Sequence, residues 1–250
     1  MVPTSIADSI WNDVKQSLQF AKASFSHVSA EFDPKSSNRV FKLALGNYGE
    51  AILLPELLAK LALRAPLVNL KLVRGYAYEH NSALEAGEID LAIDLLASES
   101  PGLDSELIME EQFVFIVSRT HPEFREHMNL DLIAKYGLIR VDLNTPKRNI
   151  FIEKLDPKQR LPEPILSLHN PHVIPSIIAR NHHVGLLTHL LALKSQACQD
   201  IRIFLPPQEE FKFPVHLFWH KKFANDAGNL WLRNLLSEIC NEQLEEGCLV

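Results

Sequence analysis

The chain has 250 residues, 46% apolar and 22% charged, enough for one or two domains with substantial cores. A formal charge of −6 excludes a chain that grips nucleic acid unaided, because backbone binding needs a basic face. No apolar run approaches the ~18–20 residues of a membrane-spanning helix. Asp8 and Asp13 interrupt the first residues, so these do not read as a secretory signal. The three cysteines, Cys198, Cys240 and Cys248, lack C-x-x-C spacing, which predicts a reducing, cytoplasmic setting and no disulfide or metal framework.

Residues 4–30 read as one amphipathic helix. Ile6, Ile10, Val14, Leu18, Ala21, Phe25 and Val28 recur at steps of three and four and make one apolar stripe. The stripe predicts a linker helix that pairs with a second copy through Ile10, Val14, Leu18 and Phe25; a helix packed on its own domain is the alternative. Asp33-Pro34 then breaks the helix, since a residue preceding proline is pushed out of the helical region.

From Val40 onward strands and helices alternate, which predicts right-handed βαβ units and a parallel sheet. Residues 40–45 form a buried strand, and Gly46-Asn47-Tyr48-Gly49 is expected to turn the chain. A leucine-rich helix follows and stops before Pro66. A strand comes at 68–72, a short helix at 81–86 ending at Gly87, and a buried strand at 89–93 with Asp94 at its end. After the turn at Pro101-Gly102, residues 107–117 form a strand. A second unit begins with helix 130–135, strand 138–141 and a polar loop at 142–147. It continues with an extended segment at 165–169, helix 173–181, strand 184–187, helix 189–196 and strand 201–205. Residues 213–220 form an apolar strand, and Asp226 caps a final helix carrying Leu230, Trp231, Leu235, Leu236 and Ile239. Strands 107–117 and 213–220 are expected to cross between two α/β lobes, giving a ligand clamp that closes by hinge motion.

Common catalytic signatures are absent: there is no G-x-S-x-G, G-x-x-x-x-G-K, G-x-G-x-x-G or H-E-x-x-H. His216 and His220 lie four residues apart on a strand, roughly 13 Å, too far to share a metal. His169-x-x-His172 has no neighbouring carboxylate or cysteine to complete a ligand set. No enzyme activity, cofactor or metal is therefore expected. Candidate ligand-binding residues lie instead at strand ends, where open α/β sheets bind ligands. They are Asn47 and Tyr48, Asp94 and Leu95, Asp142 and Asn144, His169 and Asn170 (with His172 at a helix start suited to an anion), and Thr188 and His189.

Phe32-Asp33-Pro34, then Ser37-x-Arg39, resembles the start of the effector-binding domain of LysR-type transcriptional regulators. Further elements are similar to that family in order and spacing: Leu54-Pro55-x-Leu57-Leu58, Gly87-Glu88-Ile89-Asp90-Leu91-Ala92-Ile93, His121-Pro122 and Val184-Gly185-Leu186-Leu187-Thr188. Trp219-His220, Asp226 and Trp231-Leu232-Arg233 look like the branch of nodulation and leucine-response regulators. Asn47 departs from that branch, which is expected to carry an acidic residue there. The resemblance implies a two-lobed, periplasmic-binding-protein-like α/β fold with two crossover strands, preceded by a long helix. In this arrangement residues 1–33 are the dimerising linker helix, 38–117 with 218–246 the first lobe, and 118–217 the second. It further implies a small-molecule effector, assembly into a homodimer or homotetramer, and DNA contact only through an N-terminal winged helix-turn-helix that this chain lacks. A solute-binding protein of a transporter and an enzyme on the same fold are the rival readings.

Overall fold

A computed structural model describes residues 11, 14, 15, 17, 18, 32–74, 80–94, 100–124, 130–141, 161–206 and 211–248. Ile10, Phe25, Leu95, Asp142 and Asn144 lie outside the described residues. Trp11, Val14, Lys15, Ser17 and Leu18 are helical, and Trp11, Val14 and Leu18 are exposed.

Strands β1 (Val40–Leu45), β2 (Asn69–Arg74) and β3 (Leu91–Asp94) are joined by helices α1 (Asn47–Arg64) and α2 (Asn81–Ala86). β1 pairs in parallel with both β2 and β3, the geometry a helical crossover produces. Apolar side chains on both sides of β1 follow from this central place: Phe41, Leu43, Ala44 and Leu45 are all buried. α2 stops where the sequence predicts, because Gly87 takes φ 70°, a left-handed conformation that glycine tolerates best.

β4 (Leu103–Ser118) organises the molecule. Its 16 residues span on the order of 50 Å, enough to serve two sheets. Leu103 to Gln112 pair with β9 (Lys212–His220), which also pairs with β3, all antiparallel. Phe113 to Ser118 pair with β7 (Val184–Thr188) and β8 (Ile201–Phe204). β7 then runs parallel to β5 (Leu138–Val141), and β5 to β6 (Pro164–Leu168). The strand order is β2-β1-β3-β9-β4-β7-β5-β6, with β8 on β4. The result is one curled sheet with two halves, the two-lobed α/β fold expected. Pairing alone puts residues 113–118 with the second half and 212–217 with the first. β4 changes partners between Gln112 and Phe113, whereas β9 stays on β4 along its whole length.

Helices α3 (Leu130–Tyr136), α4 (Ile174–Ile178) and α5 (His189–Gln196) belong to the second half. α6 (Ala227–Cys248) returns to the first, where it packs on β4 and α1 through Leu232, Leu235, Leu236, Ile239 and Cys240. Asp226 caps it as the sequence predicts, accepting the Asn229 amide over 2.7 Å. Among the described residues no helix is long and apolar enough to cross a membrane.

Two local expectations need correction. Gly46-Asn47-Tyr48-Gly49 is not a turn: Asn47 already begins α1, with Gly46 as its N-cap. The helix expected at 173–181 is a 3-10 turn, Pro171–Val173, followed by only five α-helical residues. Pro171 and Pro175 favour helix starts rather than a long uninterrupted helix.

Candidate functional site

The carboxyl ends of β1, β3, β5, β6 and β7 converge on one cavity of about 90 Å³ between the two halves of the sheet. Gly46, Asn47, Tyr48 and Gly49 line it after β1, Ile93 and Asp94 at the end of β3, and Val141 at the end of β5. His169 and Pro171 line it after β6, Leu187 and Thr188 at the end of β7, Leu191 from α5, and Phe113 from β4. Ligands bind at this end of parallel strands because loops and helix starts collect there.

The walls are mostly apolar, and each polar group on them has a distinct source. Gly46 has no side chain with which to cap α1, so the N-cap residue itself supplies no acceptor to the first amides of that helix. Thr188 is buried, yet its hydroxyl makes no hydrogen bond within the described protein, although it occupies the N-cap of α5. Burying an unpaired hydroxyl is unfavourable, so this oxygen has capacity to hydrogen-bond something in the cavity. Asp94 is buried at 3% exposure. No Lys or Arg is among the described lining residues.

Two contacts fasten the walls. Asn47 Nδ2 donates to the His169 carbonyl over 3.1 Å, and His172 Nε2 lies 3.1 Å from the Asn47 carbonyl. Behind the cavity the Tyr48 hydroxyl donates to Glu111 Oε2 over 2.7 Å. Burial and the neighbouring Glu111 charge push the Tyr48 phenol well above its usual range. Burial likewise pushes the Glu111 carboxyl up, against hydrogen bonds that pull it down.

Of the candidates read from sequence, Asn47, Tyr48, Asp94, His169 and Thr188 meet at this cavity. Asn170 does not: its side-chain oxygen accepts the His172 amide over 3.0 Å and caps the 3-10 turn. That turn and the short α4 behind it offer no open helix start for an anion. His189 is half-buried at the start of α5 and is not a lining residue. Among the described residues no three His, Cys, Asp or Glu side chains are grouped to hold a metal ion. Sequence reasoning missed Gly46, Gly49, Phe113, Leu187 and Leu191, whose apolar character looks like ordinary core. It also missed Glu111, which stands between Glu110 and Gln112 and so carries no local sign of burial.

A family model described as the LysR substrate binding domain matches residues 35–241. The chain belongs to this family. Among similar proteins is the HTH-type transcriptional activator NahR of Pseudomonas putida, 27% identical over 254 residues, with 96% of this chain and 79% of the relative covered. The activator NagR of a Ralstonia species is 26% identical over 216 residues, covering 84% of this chain and 70% of the relative. The fold is shared with a probable transcriptional regulator of Pseudomonas aeruginosa, TM-score 0.78 at 19% identity, covering 94% of this chain and 78% of that one. It is also shared with the regulatory domain of MexT from the same organism, TM-score 0.68 at 20% identity, covering 82% and 99%. The LysR-type domain described here is thus a ligand-sensing, regulatory module of a transcriptional regulator. Its relatives are not enzymes, and neither the transporter nor the enzyme reading is favoured.

Proposed function

We propose that a small molecule binds in the cavity between the two lobes, changes the angle between them, and thereby shifts how copies of the chain assemble. The first lobe comprises 38–117 and 218–246 and the second 118–217, with β4 and β9 running between them. The helix within residues 1–33 joins copies into a dimer or tetramer. NahR and NagR are named HTH-type transcriptional activators. By analogy, DNA is contacted by another part of the full-length regulator, in the cytoplasm, and not by these residues.

The observation that carries this reading is the Thr188 hydroxyl, buried and without a partner among the described residues at the meeting point of five strand ends. Ile93, Phe113, Val141, Leu187 and Leu191 supply apolar contact around it, so the ligand is compact, largely apolar and carries at least one hydrogen-bonding group. A ligand shifts the lobe angle only through unequal affinity for the two arrangements.

The test is a thermal-shift screen of neutral and anionic small organic molecules, repeated on Thr188→Val and Thr188→Leu. Thr188→Val removes one hydrogen bond at nearly constant shape and weakens cavity ligands by roughly tenfold. Thr188→Leu adds bulk and abolishes their binding. Hits that stabilise all three proteins equally would show that ligands bind elsewhere.

A further inference from the structure

Glu111 stands where β4 changes partners. It pairs with Phe213 of β9 in the first half of the sheet, and two residues later Phe113 pairs with Thr188 of β7 in the second. Only 4% of its surface is exposed. Its two oxygens are nevertheless well supplied with donors. Oε1 accepts the Gln112 amide over 2.8 Å. Oε2 accepts the Tyr48 hydroxyl over 2.7 Å and the Leu190 amide over 3.2 Å. The His189 amide contributes as well.

These donors come from different places in the fold. Tyr48 sits in the first turn of α1, which packs with α6 over the first half. His189 and Leu190 are the first turn of α5, which packs on β4, β7 and β8 in the second and also touches α1, where Lys194 Nζ donates to the Ile52 carbonyl over 3.2 Å. Glu111 therefore does for α5 what its own N-cap residue does not. Thr188 occupies the capping position, a role threonine commonly fills, but its side chain makes no cap. A carboxylate from another strand satisfies the helix start, where a negative charge is favoured by the helix dipole.

We propose that Glu111 is a positioning residue that couples the two lobes at the cleft, holding Tyr48 and the start of α5 in one geometry and leaving the Thr188 hydroxyl available to a ligand. A shared oxygen makes the coupling strict. A rotation between the halves that lengthens either bond by a few tenths of an ångström weakens it, since hydrogen bonds tolerate only a narrow range of distances. A buried carboxylate that loses one donor is strongly penalised, so the remaining donors do not act independently. The wall of the cavity on one lobe thus senses the helix start on the other. The coupling needs no ligand; only its consequence for Thr188 rests on the cleft reading, so a failed ligand screen and a failed coupling are separate results.

The test is site-resolved hydrogen exchange on the unliganded chain and three variants. Tyr48→Phe removes one hydroxyl from the first lobe. It is expected to speed exchange of the His189 and Leu190 amides, in the second lobe, by roughly fivefold, the factor matching one hydrogen bond. Glu111→Gln speeds the same amides at least as much, and the double variant adds nothing further, because both changes break one shared node. The buried amides of α6 around Leu235 keep their wild-type rates. The proposal is overturned if Tyr48→Phe leaves the α5 amides unchanged, if the two effects simply add, or if exchange rises equally in α6. Tyr48→Phe is conservative enough to carry the test even if Glu111→Gln does not fold.

Discussion

Asn47 and His169 follow strands from opposite halves of the sheet, yet the Asn47 carboxamide donates to the His169 carbonyl over 3.1 Å. His172 returns the contact, its Nε2 lying 3.1 Å from the Asn47 carbonyl. The pair forms a clasp at the cavity. Both contacts are exposed to solvent, where such bonds contribute about 0.5–1.5 kcal/mol each at most. A clasp this weak can open and close with lobe motion. Asn47→Ala is expected to lower global stability by under about 1 kcal/mol while increasing hydrogen exchange of the Asn170, His172 and Val173 amides. Asn47→Trp is expected to abolish stabilisation by cavity ligands without unfolding the domain. A ligand response that survives Asn47→Trp would remove Asn47 from the site.

The family-like residues at the start of the domain have a structural task rather than a ligand-binding one. Asp33 accepts the Lys35 amide over 3.1 Å and the Ser36 hydroxyl over 2.6 Å, closing the turn that delivers Arg39. Arg39 then bridges Asp90, before β3, at 2.8 Å and Asp226, the cap of α6, at 2.5 Å. Its guanidinium also lies 4.5 Å from the Phe41 ring centre. One side chain thereby ties β1, β3 and α6. Arg39→Ala would strand two largely buried carboxylates. Fully buried pairs cost ~3–5 kcal/mol to break and exposed ones under ~1, so a half-buried arginine is expected to contribute about 2 kcal/mol. Arg39→Lys should recover only part of this, because a single ammonium does not reproduce a fork that spans both acids. Equal denaturation midpoints for wild type and Arg39→Ala would contradict this role.

The element order was legible in the sequence because β1, β3, β5 and β7 are short apolar runs separated by helical spacing or turn residues. The carboxyl-end rule located Asn47, Tyr48, Asp94, His169 and Thr188 without any contact information. What remained hidden depended on distance. Glu111 is 63 residues from Tyr48 and 79 from Leu190, separations that periodicity does not register. The start of α1 was misread because Gly46 and Gly49, which look like a turn, are instead a cap and a helical residue. Asn170 caps the 3-10 turn and does not line the cavity, and a cap and a binding residue look identical until the hydrogen bond from His172 is seen.

Gly185 explains one further family-like motif. It lies in β7 opposite Ile116, and an added Cβ would come within 2.7 Å of Ile116, 2.9 Å of Ile174 and 3.0 Å of Ile178 side-chain atoms. Three buried isoleucines leave no room to yield, so the close packing of α4 on β7 requires glycine. Gly185→Ala is expected to destabilise the second lobe by about 1–3 kcal/mol through overpacking. Because β7 ends at Thr188, the same change should also weaken cavity ligands. Unaltered thermal stability would mean that α4 moves aside freely.

Stability should depend on pH through buried histidines. His121 Nδ1 accepts the Glu123 and Phe124 amides, both at 3.2 Å, so Nε2 carries the proton toward the His182 carbonyl at 2.9 Å. That arrangement needs the neutral ring, and burial pushes the His121 pKa below its usual value. His189 and His216 are pushed down by burial too. Below about pH 6.5 the unfolded chain then binds protons that the folded chain refuses, so stability is lost as pH falls through that point. Glu111 has the opposite sign: its pKa is raised from 4.5, so its contribution declines as pH rises above that value. Between pH 7.5 and 6 the unfolding midpoint should fall, and His121→Gln, though less stable at pH 7.5, should show a flatter slope. A midpoint that rises on acidification would reverse the assignment.

Trp11, Val14 and Leu18 are helical and at spacings of three and four residues, so they share one helix face, and they are 66%, 44% and 54% exposed. An apolar stripe of this kind left in water favours a partner helix. Val14→Glu and Leu18→Glu place charges on the seam, where burying each is unfavourable. Light scattering should report a dimer or larger assembly for the wild type and a lower mass for the double variant at equal concentration, while ligand-induced thermal shifts persist because the cavity is untouched. A monomer in both proteins would leave the stripe as a face for some other part of the regulator and would remove self-association from the proposed mechanism.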